Sequence, residues 1–516
     1  MKPFFITTAI DYTNAPPHIG HAYEKILADV MARYQRQRGR EVFFLTGVDQ
    51  HGQKVQQSAE REGIPPQEFA DRISEMFLSL WKTLGISYDA WAATTAPIHK
   101  LAVQKILTDL KERDWLYKAT YSGHYSVRQE QFLTDKERGP NGEFGPEWGE
   151  VILLDEENWY FRLSKCSGWL ASFLENHKNF VTPDFRQTEL KNAAAKITGD
   201  LCISRPKSRL EWGIELPFDP GFVTYVWFDA LINYISFAGY GAEGSDFGRL
   251  WPADQHVIGK DILIPAHGVY WPCMLHAMGF PDEQMPHLLV HGFWSLRGEK
   301  VSKSTGNVVD PATLAETYGT TALRYYLMRD AVMGRDADFS EERLLLRYNT
   351  ELGNGLGNLV NRTLSMTRRY REGSPKQVPP PVDLAAHLEA DVDSVEEFIV
   401  QMDSAHIHAG IEVMVNLVNR ANALVDSAAP WKLAKDPDQA ERLDAVLSTL
   451  ILSARTAATL LLPVAPDAAS EILRQLDLPA LKFDGKTAAA LPAGYRCGEP
   501  KPVFPRLEIP TGDSAP

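Results

Sequence analysis

The chain has 516 residues, 44% hydrophobic and 23% charged, a balance that fits a globular protein of about three domains. Lys and Arg total 53 against 67 Asp and Glu, a net charge of −14. That excludes a generally basic nucleic-acid binder and leaves phosphate contacts to local basic faces. Cys166, Cys202, Cys273 and Cys497 lie far apart without a C-x-x-C pair, which gives neither a disulfide framework nor a thiolate zinc site.

Residues 4–8 form a β-branched and aromatic run that reads as a buried strand. A polar loop at 11–17 follows. Residues 21–38 then read as an amphipathic helix with Ile26, Leu27, Val30, Met31 and Tyr34 on one face, ended by Gly39. Residues 41–48 are the next buried strand. Strand, helix, strand implies a parallel, doubly wound α/β sheet, with ligands at strand ends. Residues 116–224 break the rhythm with short strands and turns and read as an insertion. The βα pattern resumes at Val223-Thr224-Tyr225-Val226-Trp227-Phe228 and at His256-Val257-Ile258-Gly259. Long helical patterns at 349–371, 384–401, 404–428 and 438–462 make a bundle, with a Pro-rich link at 372–382. The tail from 477 is expected to pack extended on the surface. No run of about eighteen or more apolar residues appears, so no membrane span is expected, and residues 1–10 do not resemble a signal peptide, so the expected location is cytoplasmic.

Two short segments carry chemistry. In Pro17-His18-Ile19-Gly20-His21, Gly20 permits close backbone approach, and two histidines stand at a helix N-terminus, where charge on a phosphate is stabilised. In Lys300-Val301-Ser302-Lys303-Ser304, two lysines on a flexible loop can follow a leaving pyrophosphate. Alone, the first is more often a capped turn and the second a solvated loop. Together, in this order, they describe a site that binds ATP and permits attack on its α-phosphorus.

The pair resembles the HIGH and KMSKS signatures of class I aminoacyl-tRNA synthetases, with Val301 in place of the usual Met. The stretches 7–23, 44–52, 225–234 and 258–261 resemble the methionyl-tRNA synthetases, and the likeness runs over nearly the whole chain. It implies a Rossmann-like doubly wound parallel-sheet catalytic domain (1–115 and 225–340), an inserted α+β connective domain (116–224), an all-α anticodon-binding helical bundle (341–476) and a tail (477–516). It implies methionine–tRNA ligase activity on L-methionine, ATP with Mg2+ as substrate, and tRNA(Met). His18, Gly20, His21, Lys300 and Lys303 would be catalytic. His18, His21, Lys303, Gly259 and Asp261 would bind ATP, with His291 and Trp294 beside the adenine. Ile10, Tyr12, Trp227, Leu231, Tyr234 and Ile262 would line a methionine pocket, Asp49 would hold the α-ammonium, and His267 would sit by the thioether. The loop from 261 to 271 looks one residue longer than the family pattern. Asn358, Arg362 and Trp431 would read the anticodon, beside a basic stripe of Arg362, Arg368, Arg369 and Arg371. Many relatives carry a zinc knuckle in the insertion. Here Ser126 and Gln129 occupy the C-x-x-C places, so no zinc is expected. The family's appended C-terminal tRNA-binding module has no counterpart, which points to a monomer. A synthetase for leucine or valine would carry a far larger editing insertion.

Overall fold

The computed structural model describes residues 2–126, 131–133, 138–139, 141–196, 199–296, 299–300, 309–483 and 490–509. The strands in chain order begin with β1 (Phe4–Thr8), β2 (Asp11–Tyr12), β3 (Val42–Asp49) and β4 (Ala90–Ala93). Next come β5 (Leu116–Ser126), β6 (Gln131–Leu133), β7 (Val151–Phe161), β8 (Val181–Thr182), β9 (Leu201–Cys202), β10 (Ser204–Pro206), β11 (Glu215–Leu216) and β12 (Asp219–Thr224). The last are β13 (Gln255–Gly259), β14 (Leu288–His291), β15 (Trp294–Leu296), β16 (Glu299–Lys300) and β17 (Ala337–Phe339).

The main sheet runs β2-β3-β1-β13-β14-β8, with β4 on β3, and every pairing in it is parallel. All five residues of β1 are buried, because a parallel strand covered on both faces has no solvent side. The strand order reverses where β1 lies between β3 and β13, which opens a crevice at their C-terminal ends.

Helix α1 (Ile19–Gln37) starts in that crevice and buries Ile26, Leu27, Val30, Met31 and Tyr34. It is also covered on its far side, so Glu24, Lys25 and Asp29 are buried and each needs a partner. Asp29 has two, Arg324 with Nη2 2.6 Å away and Arg33 with Nε 2.8 Å away. The Arg324 guanidinium also donates to the Leu84 and Val464 carbonyls, joining sheet layer and bundle. The bundle comprises Asn358–Arg371, Val382–Asp403, Ile407–Ala428, Ala440–Leu461 and Pro466–Leu476. The segment Pro437–Leu461 is long and apolar enough to cross a membrane, but 94% of its apolar window is buried, as a central bundle helix requires.

Three expectations are corrected. The run 223–228 does not resume the parallel sheet. Its first two residues end β12, which pairs antiparallel with β10 and β11, and Trp227–Ala230 is already helical. The segment 116–224 is not one inserted block: β5, β6, β7 and β9 form an antiparallel sheet, but β8 returns to the main sheet beside β14. The tail is stitched in by buried Tyr495, Cys497 and Phe504, and Asn349 exchanges two hydrogen bonds with Leu507.

Candidate active site

The entrance to α1 is a capping box made by two histidines. His18 is the N-cap, and its Nδ1 accepts the Gly20 N–H at 3.1 Å. His21 Nδ1 accepts the His18 N–H at 3.1 Å. An accepting Nδ1 places each neutral ring's proton on Nε2. The rings stack at 3.8 Å, so two Nε2–H donors stand side by side at a helix N-terminus. A Cβ on Gly20 would lie 3.0 Å from the His18 ring, which is why glycine sits there.

Directly behind this turn lies a chain of charges. Lys25 Nζ, fully buried, donates to Asp11 Oδ1 (2.6 Å), Glu24 Oε1 (3.0 Å) and the Ala9 carbonyl (3.0 Å). Glu24 Oε2 is 3.1 Å from His291 Nε2. Gly259 and His291 are register partners at the ends of β13 and β14, and a Cβ on Gly259 would lie 2.7 Å from Asp261 Oδ1. His18, Gly20, His21, Gly259, Asp261 and His291 thus gather at one edge of the sheet. Trp294 does not join them as a stacking ring. Its indole is buried among Tyr23, Tyr326 and Phe339.

On the β3 side, Asp49 ends its strand with a buried carboxyl that accepts from Thr94 Oγ1 at 3.3 Å. Burial, reinforced by the charge of Asp229, raises its pKa well above the carboxylate range. Asp229 is itself gripped by two histidines, accepting from His51 Nδ1 and His99 Nε2, each at 2.8 Å. Burial would raise its pKa, but these histidines overcome that and hold it far below normal. Sequence reasoning missed this cluster: the partners are far apart in the chain, and the only local signal is the Asp49-x-His51 spacing.

Tyr234 and Leu231 are buried in a core against which partly exposed Ile10, Trp227 and Ile262 pack, whereas Tyr12, also partly exposed, packs against the other core with its hydroxyl at Gly52. Tyr234 Oη and His267 Nε2 are 2.8 Å apart, and His267 Nδ1 lies 3.0 Å from the Ile262 carbonyl. The carbonyl only accepts, so Nδ1 carries the proton and the tyrosine hydroxyl donates to Nε2. Burial lowers the His267 pKa to about 4, keeping it neutral. Both ring nitrogens are therefore engaged, which fixes the orientation of the ring. The segment before Trp271 is a kinked, wide helical turn over Leu263–Tyr270. There Ile264 is extended, and the Trp271 N–H reaches back five residues to Ala266. Before Trp227, Val226 has φ 31°, strained for a β-branched residue and consistent with a backbone held for a site.

Val301, Ser302, Lys303 and Ser304 lie outside the described residues, as does the Lys300 side chain. In the bundle, Asn358 is exposed, Trp431 is 38% exposed, and the Arg362 guanidinium lies 6.0 Å from the Trp431 ring while pairing with Asp426 at 2.7 Å. The basic stripe is weaker than its sequence suggests: Arg371 is committed to buried Asp444 and Arg368 to Glu499. In the insertion, Ser126 Oγ donates to the Trp148 carbonyl, and Gln129 lies outside the described residues. A hydroxyl so engaged, with no Cys beside it, does not fit a zinc knuckle. Among the described residues no three His, Cys, Asp or Glu side chains group to hold a metal.

A family model described as "tRNA synthetases class I (M)" matches residues 4–143 and 149–364. The chain belongs to this family. It is 41% identical to a methionine–tRNA ligase of Deinococcus radiodurans, over 98% of this chain and 75% of the relative. It is 40% identical to that of Rhizobium meliloti over 99% of both. Its fold matches Mycobacterium tuberculosis methionyl-tRNA synthetase in complex with methionyl-adenylate, with a TM-score of 0.91 and 36% identity over 98% of this chain and 100% of that one. The fold class expected from the sequence, a parallel-sheet class I catalytic core followed by helices, is borne out.

Proposed function

We propose that this synthetase is a methionine–tRNA ligase that makes methionyl-adenylate from L-methionine and Mg·ATP and passes the methionyl group to tRNA(Met). The observation that carries the reading is one crevice holding paired histidine Nε2–H donors on one side and Asp49 with the Tyr234–His267 wall on the other. The methionine carboxylate attacks the α-phosphorus, the new O–P bond forms, and pyrophosphate leaves with the electrons of the broken bridge. His18 and His21 donate to oxygens whose charge grows in that step, and Lys300 and Lys303 follow the leaving pyrophosphate. Gly259 and Asp261 receive the nucleoside, and His291 braces α1 through Glu24.

Asp49 takes the α-ammonium. Ile10, Tyr12, Trp227, Leu231, Tyr234, Ile262 and His267 enclose an unbranched, polarisable side chain. A hydroxyl of the tRNA 3′ adenosine then attacks the methionyl carbonyl, and AMP leaves. Asn358, Arg362 and Trp431 meet the anticodon through base edges and stacking. The enzyme supplies both initiator and elongator methionyl-tRNA, working in the cytoplasm. ATP–pyrophosphate exchange across amino acids tests the reading. Methionine is expected to support exchange, and activity with leucine but not methionine would overturn it.

A further inference from the structure

We propose that Asp11 is a positioning residue for the ATP polyphosphate, acting through His21, and that its carboxyl takes up a solvent proton when Mg·ATP binds. The proposal rests on the reading of His18 and His21 as phosphate donors.

Asp11, Glu24 and Lys25 are all buried immediately behind the histidine turn. One ammonium serves two carboxylates, 2.6 Å from Asp11 and 3.0 Å from Glu24. The trio is neutral when one acid is protonated and carries one negative charge when both are ionised. Glu24 is the acid that stays ionised: although burial opposes it, Lys25 and His291 hold its pKa below the usual value. Asp11 is the acid that can accept the proton. Its Oδ2 is buried with no hydrogen-bond partner among the described residues. Burial, only partly offset by Lys25, pushes its pKa up to about 7.

His21 Nε2, the donor nitrogen, lies 4.0 Å from Asp11 Oδ1. The other groups facing the carboxyl are Lys25 and Glu24 on α1, Tyr234 across the pocket, and His291 on β14 through Glu24. An ionised Asp11 draws the His21 Nε2–H toward itself and repels an incoming polyphosphate. A neutral Asp11 releases His21 to the phosphate and leaves the trio uncharged. Both effects make polyphosphate binding and protonation of Asp11 favour each other.

The test measures KM for ATP in methionine-dependent pyrophosphate exchange, at saturating Mg2+ from pH 6 to pH 8.5, for the wild type and Asp11→Asn. Calorimetry of Mg·ATP binding at pH 7, in buffers of different ionisation enthalpy, counts protons on the wild type without any variant. A rise of one unit in the Asp11 pKa on binding corresponds to a rise of about tenfold in wild-type KM for ATP across the range. Net proton uptake accompanies it. Asp11→Asn should keep a flat KM near the wild-type low-pH value and take up no proton, with KM for methionine unchanged. A variant that keeps the wild-type slope would place the titration on His21 or the nucleotide and overturn the proposal, as would calorimetry without proton uptake. Absence of methionine-dependent exchange in the wild type would instead sink the ligase reading, while calorimetry would still decide on Asp11.

Discussion

Replacing Asp49 by Asn separates two roles of one carboxyl. Asn has nearly the same shape and can still accept from Thr94, so the packing at the end of β3 is retained. What disappears is the ability to release a proton and meet the methionine ammonium as a carboxylate. A hydrogen bond to a charged group contributes about 1.5–3 kcal/mol, so kcat/KM for methionine should fall roughly 10- to 150-fold. KM for ATP should stay within about twofold.

Stability should move the other way. Asp49 is raised by burial and by Asp229, so in the native state it holds its proton at pH values where the unfolded chain has lost it. An acid raised by folding costs stability increasingly as pH climbs from the unfolded pKa to the folded one, and that cost persists above it. Asp49→Asn removes this cost, so its Tm at pH 8 should equal or exceed the wild type's. Methioninol, which keeps the ammonium and lacks the carboxylate, gives the decisive assay: its Ki should rise in parallel with KM for methionine. An unchanged methioninol Ki would refute the placement of the ammonium on Asp49, whatever happened to turnover.

Tyr234→Phe removes the hydroxyl that donates to His267 and leaves a buried nitrogen without its partner. That costs about 1–3 kcal/mol, measurable as a higher KM for methionine and a lower Tm together. Arg324→Met removes the 2.6 Å partner of buried Asp29 and leaves it only Arg33 and Ser87, a loss of about 1.5–3 kcal/mol readable from urea unfolding. Despite burial, Arg324 and Arg33 depress the Asp29 pKa, so its stabilisation is present above the unfolded pKa and lost as pH falls through the folded one. Burial lowers Arg324's own pKa, yet a guanidinium stays charged at working pH. The acid limb of stability should therefore flatten in the variant, and an unaltered limb would contradict the assignment. Trp431→Ala should reduce aminoacylation of tRNA(Met) by about 1–3 kcal/mol of lost stacking. Pyrophosphate exchange should be untouched, and an equal loss in both assays would count against an anticodon role.

What could be read in the sequence follows the range of each interaction. The strand 4–8, the buried face of α1 and the bundle helices are set by periodicity within one element, and each stands close to where the pattern puts it. The 223–228 run failed because β-branched and aromatic residues report burial, not which sheet a strand joins. Pairing with residues 204–206 and 215–216 decided that. β8 is two residues long, too short for any periodic signal. Trp294 is a related case: an aromatic three residues after His291 has the composition of a base-stacking site, and only the fold shows the rings that bury it.

The His18–His21 turn is the opposite case, in which two competing readings describe one geometry. Capping engages Nδ1 of each ring with a backbone amide, and that engagement puts the proton on Nε2. The capped turn was the bland alternative to a phosphate site. In the folded chain it is the device that orients both donors, and a histidine pair without those two amide contacts would not have its tautomers set. Spacing alone carried that part of the chemistry because the contacts span only two and three residues. The Asp11–Lys25 pair beneath it spans fourteen and became visible only when β2 and α1 were brought together.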